Sequence, residues 1–340
     1  MLKQAQKWIP ALATPLAFKG PAPVRMLMLC SALLLATASA CDTFPSRAHT
    51  AFNADSALSY TRQQVAFGPR VPGTPAAAKA GDWIVSMMKA RGATVTEQRW
   101  KYKPVAGDSI PLRNILARYN LAATQRILYI THWDTRPVAD SDPVLGNRHD
   151  PIPGANDGGS GVGLFLALGD ALGKTPPTVG VDLLFVDGED YGSNWDPPYT
   201  DVLLGSQYFV EHLPTPDYKP MFGVLWDMIA DANLDIPQEP NSVRAAPEVV
   251  TRVWQKAAEY GYSKYFLNQS YPSAITDDHV PFINKGFRVI DVLDYEYGPP
   301  DALGHASPNY HHTMQDTMEH ISAKSFQIVG DVALGLLMDQ

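Results

Sequence analysis

Short runs that are apolar almost from end to end, alternating with stretches of helical spacing, constrain this chain more than any other feature. Val181–Val186 is apolar except for Asp182, and Phe222–Trp226 and Arg288–Leu293 read as further buried strands. Strand-like runs also occur at Thr94–Trp100, Asn114–Tyr119 and Arg126–Thr131. Between and around them lie helical patterns. Asp55–Val65 has Asp55 available as its cap. Ala76–Arg91 places Trp83, Ile84, Met87 and Met88 on one face and has Gly92 as its stop. Gly158–Leu172, Leu204–Leu213, Pro247–Tyr260 and Ala323–Met338 complete the set. The alternation predicts a single three-layer α/β domain over residues 53–340, with a mixed, mostly parallel central sheet and helices on both faces. Residues 134–153 carry no regular pattern, and loops of that length inside a compact domain are usually functional.

The net charge of −8 is spread without long runs of one sign, which gives no footprint for nucleic acid. Residues 1–40 are a different kind of segment. Lys19 and Arg25 precede an apolar run from Met26 to Ala36, followed by Thr37-Ala-Ser-Ala40. A positive flank, a short apolar core and small residues before a cut read as a secretory signal, too short to span a bilayer comfortably. Cys41 directly after the small residues resembles a bacterial lipobox, although Ala38 stands where Leu is more usual. The expectation is an exported protein, periplasmic or at the cell surface, anchored by lipid on Cys41 through a tether over residues 41–52. Plain cleavage after Ala40 is the alternative. Cys30 is removed with the signal in either case, so the mature chain has no partner for Cys41 and no internal disulfide.

The chemistry sits in scattered pieces. His132 follows the run Arg126–Thr131, and Asp134 can turn back to hold its imidazole. Asp157 lies in Gly154-Ala-Asn-Asp-Gly-Gly-Ser-Gly161, where a helix N-cap would also explain it. Glu189 and Asp190 follow Phe185-Val-Asp-Gly188 at the end of an apolar strand, where paired carboxylates are costly unless something positive compensates them. His312 sits in Tyr310-His-His-Thr313. An α/β sheet delivers side chains from strand ends to a common rim. Borderline nitrogen and oxygen ligands converging there suit zinc, and a carboxylate beside them suits proton transfer.

Taken in order, His-x-Asp, Gly-Ala-Asn-Asp-Gly, Asp-Gly-Glu-Asp, Leu-Trp-Asp227-Met and His-Thr resemble the co-catalytic zinc aminopeptidase superfamily. Trp195-Asp-Pro197 after the Glu-Asp pair, Thr276-Asp277-Asp278-His279-Val-Pro-Phe282, Leu204-Gly-Ser-Gln207 and the Gly68–Pro75 loop narrow the likeness to glutaminyl-peptide cyclotransferases. The resemblance covers residues 53–340 and implies a zinc-exopeptidase-like fold. It implies that one zinc is held by Asp157, Asp190 and His312. Glu189 would shuttle the proton, with Asp277 and Asp227 as its hydrogen-bonding partners. Trp195, His279 and His311 would belong to the substrate pocket. It also implies a cis peptide after Asp157. The substrate would be the N-terminus of a peptide or protein, the enzyme a monomer, and the membrane met only through Cys41. Asp277-Asp278-His279 read alone is equally a helix cap with a structural histidine. Many relatives carry Glu where Asp190 stands and Trp where His311 stands, and some carry a disulfide that this chain cannot form. A two-zinc aminopeptidase is the rival, with His132 and Asp227 completing a second site around the shared Asp157 and Glu189 acting on water.

Overall fold

The computed structural model describes residues 52–192, 200–301 and 306–339. The signal, Cys41 and nearly all of the tether lie outside them, as does Trp195. The strands are β1 (Thr94–Tyr102), β2 (Ile110–Tyr119), β3 (Arg126–His132), β4 (Gly180–Val186), β5 (Phe222–Asp227), β6 (Ile236–Gln238), β7 (Phe266–Ser270) and β8 (Val289–Leu293). Six form one sheet in the order β1-β2-β4-β3-β5-β8, while β6 and β7 pair separately. From β4 through β3 and β5 to β8 every pairing is parallel; β2 runs antiparallel to β4 and to β1. This is the mixed, mostly parallel sheet expected.

The central strands are apolar throughout because both of their faces are covered. Along β3, Ile127 and Tyr129 enter one core while Leu128 and Ile130 enter the other. The first core includes side chains of α1 (Ala54–Val65), α2 (Pro75–Ala90) and α3 (Ser160–Lys174). The second includes Phe209 of α4 (Leu204–Glu211). The short α5 (Pro240–Ala245) leads directly into α6 (Pro247–Glu259). Phe282 of α7 (His279–Asn284) joins the second core, and α6 and α8 (Ala323–Met338) join the first. Each fully buried Leu or Ile contributes on the order of 1.5–3 kcal/mol by leaving water. Asp182, the polar exception in β4, is fully buried and held by Arg118, Arg126 and the Tyr218 hydroxyl, so it belongs to the scaffold.

Several local expectations change. The cap of α1 is Asn53, whose side chain accepts the Ser56 N–H at 2.9 Å, because the helix begins one residue earlier than Asp55. A 3-10 turn at Leu145–His149 interrupts the 134–153 stretch. The short elements α5, α7, β6 and β7 carry too few periodic residues to register in the sequence pattern.

Candidate active site

Parallel strands end on one edge of the sheet, and the chemical residues collect there. His132 is the last residue of β3 and Asp227 the last of β5. Glu189 and Asp190 follow β4, Asp157 lies just before α3, and His311 and His312 come from the segment after β8. Asp134 organises the carboxylate pair by accepting the backbone N–H groups of Glu189 and Asp190, each at 3.2 Å. It also stands 3.5 Å from His132 Nδ1, so it serves the imidazole as well as the Glu-Asp turn. The peptide bond after Asp157 is not cis; among the described residues the cis bond is Ser307–Pro308. The turn is made instead by Gly158 at φ +70°, where a Cβ would fall 2.2 Å from the Asp134 carbonyl oxygen.

Two donor groups share Asp157. His132 Nε2 lies 3.1 Å from Asp157 Oδ1 and 3.0 Å from Asp227 Oδ1. On the other side, His312 Nε2 stands 3.7 Å from Asp157 Oδ2 and 3.4 Å from Asp190 Oδ1. Donor atoms of Asp157, His311 and His312 fall within 4.8 Å of one another, as do those of His132, Asp157 and Asp227. Asp190 lies outside both groups, and Arg136 Nη1 binds its Oδ1 at 2.6 Å. Asp157 Oδ2 and Asp190 Oδ2 are buried without hydrogen-bond partners. The unpartnered Asp157 Oδ2 facing His312 Nε2, with the buried Asp190 carboxylate beside it, is a donor set that fits zinc.

The electrostatics follow from burial and crowding. Burial, with the negative charges of Asp190, Asp277 and Asp278 outweighing nearby His132, pushes Glu189 well above the usual carboxylate range. Against the cost of burial, His312 and Arg136 hold Asp190 below it. Burial and Asp190 push Asp157 up. Burial, reinforced by His312, drives His311 well below the ordinary histidine value. His132 rises well above that value despite burial, through Asp227, Asp134 and Asp157.

Three expected placements need correction. Among the described residues no hydrogen bond joins the Glu189 carboxylate to Asp227 or Asp277. Asp227 instead takes His132 and the Met228 N–H, and Asp277 takes the Asp278 N–H at 2.5 Å. Asp277 acts on Glu189 through its charge. His279 does not line the cavity: it is fully buried, with Nε2 3.1 Å from Glu239 and Nδ1 3.5 Å from Asp291. As the first residue of α7 it points into the protein, where those two carboxylates meet it.

A cavity of about 670 Å³ opens over this edge, with Asp157, Glu189, Asp227, Asp277, His311 and His312 among its lining. Several contributors were not singled out from sequence. Arg136, 1 % exposed, grips Asp140 through Nε and Nη2 at 2.8 and 2.6 Å and donates to the Gly192 carbonyl at 2.9 Å. Asp316 accepts the N–H groups of Asn156 and Asp157 at 2.7 and 3.1 Å, and buried Arg70 donates to the carbonyls of Pro153 and Gly154. Together they hold the Asp157 turn. Their only sequence signal was proximity to the motifs: Arg136 follows His-x-Asp, and Arg70 sits in the Gly68–Pro75 loop.

The sequence pattern of peptidase family M28 matches residues 114–337. Aminopeptidase YwaD of Bacillus subtilis is 27 % identical over 77 % of this chain, which spans 52 % of that protein's length. A Zn-dependent exopeptidase from Parabacteroides distasonis superposes with a TM-score of 0.80 at 37 % identity, covering 86 % of this chain and 100 % of that one. Bacteroides thetaiotaomicron glutaminyl cyclase bound to N-acetylhistamine superposes with a TM-score of 0.79 at 35 % identity, covering 86 % and 99 %.

Proposed function

The chain belongs to peptidase family M28, and on that footing we propose that it is a zinc-dependent glutaminyl-peptide cyclotransferase. It would convert the N-terminal glutamine of a peptide or protein to pyroglutamate and release ammonia. The observation that carries this reading is the pairing of His132. Its Nε2 lies against Asp157 Oδ1 and Asp227 Oδ1, so one nitrogen holds these two carboxylate oxygens together. Asp157 Oδ2, Asp190 and His312 are left as the set open to a single zinc. The likeness to a solved glutaminyl cyclase over 86 % of the chain supports the same reading.

Asp157, Asp190 and His312 would hold the zinc, which when bound would supply a Lewis acid for the glutamine amide carbonyl. Glu189 moves the proton. Its carboxylate takes one from the attacking α-amine as the new carbon–nitrogen bond forms, then gives it to the side-chain nitrogen as that bond breaks and ammonia leaves. Burial raises its pKa, making it a stronger base and a group that keeps its proton long enough to donate. Arg136 keeps Asp190 in place through a 2.6 Å hydrogen bond. Because the reaction is intramolecular, the walls serve to hold a folded conformer of the glutamine.

A second reading, hydrolysis by a two-zinc aminopeptidase, takes that same His132, Asp157 and Asp227 grouping as a second metal site and is favoured by the likeness to YwaD. Incubation with Gln-initiated and Leu-initiated peptides separates them. Ammonia and a blocked N-terminus on the first support cyclisation. Free leucine with no cyclised product would overturn it.

The anchor remains part of the proposal. Among the described residues no helix is long and apolar enough to cross a membrane. A fatty-acid probe should label the mature protein and fail to label a Cys41→Ser variant; an unlabelled wild type rules the anchor out.

A further inference from the structure

The geometry points to a preference, resting on the cyclase reading, for peptides with a basic residue directly after the N-terminal glutamine, set by Glu296 at the cavity mouth. With the substrate amine at Glu189, the rest of the peptide leaves past the exposed part of the lining, which includes Tyr295 and Glu296. The floor below is acidic, and buried Asp157 presents an unpartnered Oδ2 there. Arg136 is the guanidinium in the wall, and its donors are engaged by Asp140, Asp190 and Gly192. Among the described lining residues Arg136 is the one arginine or lysine, so an acidic side chain on the substrate meets no uncommitted guanidinium or ammonium group.

Glu296 differs from the other carboxylates. Asp140 is neutralised by Arg136, and the floor carboxylates serve zinc and the proton. Glu296 is exposed and takes part in no hydrogen bond or ion pair among the described residues. Its segment is nonetheless held. The Tyr271 hydroxyl donates to the Leu293 carbonyl and accepts the Tyr295 N–H, both at 3.0 Å, and the Tyr295 ring packs edge-on against His311 at 4.9 Å. The carboxylate is thus presented from a fixed place without an internal partner. A lysine ammonium brought within about 4 Å of it in water gains roughly fivefold in binding, and the gain shrinks as salt screens it.

The test uses the full zinc-loaded chain and the peptides Gln-Lys-Ala, Gln-Ala-Ala and Gln-Glu-Ala, with kcat/KM followed by ammonia release. The expected Lys-to-Glu ratio is above one by about fivefold or more and falls with added salt. Glu296→Gln should bring the ratio towards one and Glu296→Lys should invert it. A ratio near one in the wild type, or a preference that survives Glu296→Gln, overturns the inference while leaving the cyclase reading standing. No ammonia from any of the three peptides overturns the cyclase reading itself and this inference with it.

Discussion

Glu189 and Asp190 are neighbours in sequence with opposite electrostatic fates, and their partners explain why. Asp190 has Arg136 and His312 beside it and is held low, whereas Glu189 faces carboxylates in a buried place and is pushed up. In the proposed mechanism, proton shuttle and metal ligand would separate on that difference. Glu189→Gln should lower turnover by about 10²–10⁴-fold while zinc content, read by atomic emission, stays at the wild-type level. Loss of zinc would make Glu189 a ligand instead. Asp316 acts at one remove, through the backbone of Asp157. Asp316→Ala should weaken zinc binding by about 10–100-fold in a chelator competition, with far-ultraviolet circular dichroism unchanged. Unaltered affinity would show that the turn holds without it.

At the scale of elements, the site depends on how closely α1 and α3 approach, because α3 follows directly from the Asp157 turn. Gly163 permits that approach: a Cβ there would lie 2.1 Å from Thr61 Oγ1 and 2.6 Å from the Ala57 carbonyl oxygen. Thr61 also donates to the carbonyls of Ala57 and Gly159, joining the helix to the loop that carries Asp157. Gly163→Val must push the helices apart and should cost about 1–3 kcal/mol or more in urea unfolding. Zinc affinity should fall with it; a variant of wild-type stability would mean that the contact is loose. Strand β3 shows the complementary device, sending alternate residues to opposite cores and ending on His132.

Across the whole molecule, buried carboxylates gather behind the cavity, and this ties stability to pH. Burial, with Asp134 and Asp227 nearby, pushes Asp278 up to about 7 from the usual 3.8. The folded protein therefore keeps a proton there that the unfolded chain has released. That stabilisation is complete below about pH 4 and is lost as pH rises through about 7. Zinc-free protein should show a falling urea midpoint between about pH 4 and 7, with a shallower fall in Asp278→Asn. Equal slopes in the two proteins would remove Asp278 as a cause. Glu239 works in the opposite direction: despite burial, His279 lowers it to about 2 from 4.5, so its contribution is present above pH 4.5 and fades below.

What the sequence by itself determined was local in cause. Apolar runs covered on both faces specify buried strands, amphipathic spacing specifies the long helices, and Ala323–Met338 appears with the predicted bounds. The motif order also placed His132, Asp157, Glu189, Asp190, Asp227 and His312 on one edge, because parallel strands must all end on the same side of their sheet. The tertiary structure decided which of these groups touch. It turned His279 into the interior, gave Asp190 to Arg136, paired His132 with two carboxylates and made Asp316 the support of Asp157. Asp316 is 159 positions from Asp157, and a contact across that separation has no local periodicity to announce it. Chain connectivity brings a residue to the right edge; packing and charge compensation choose its partner there.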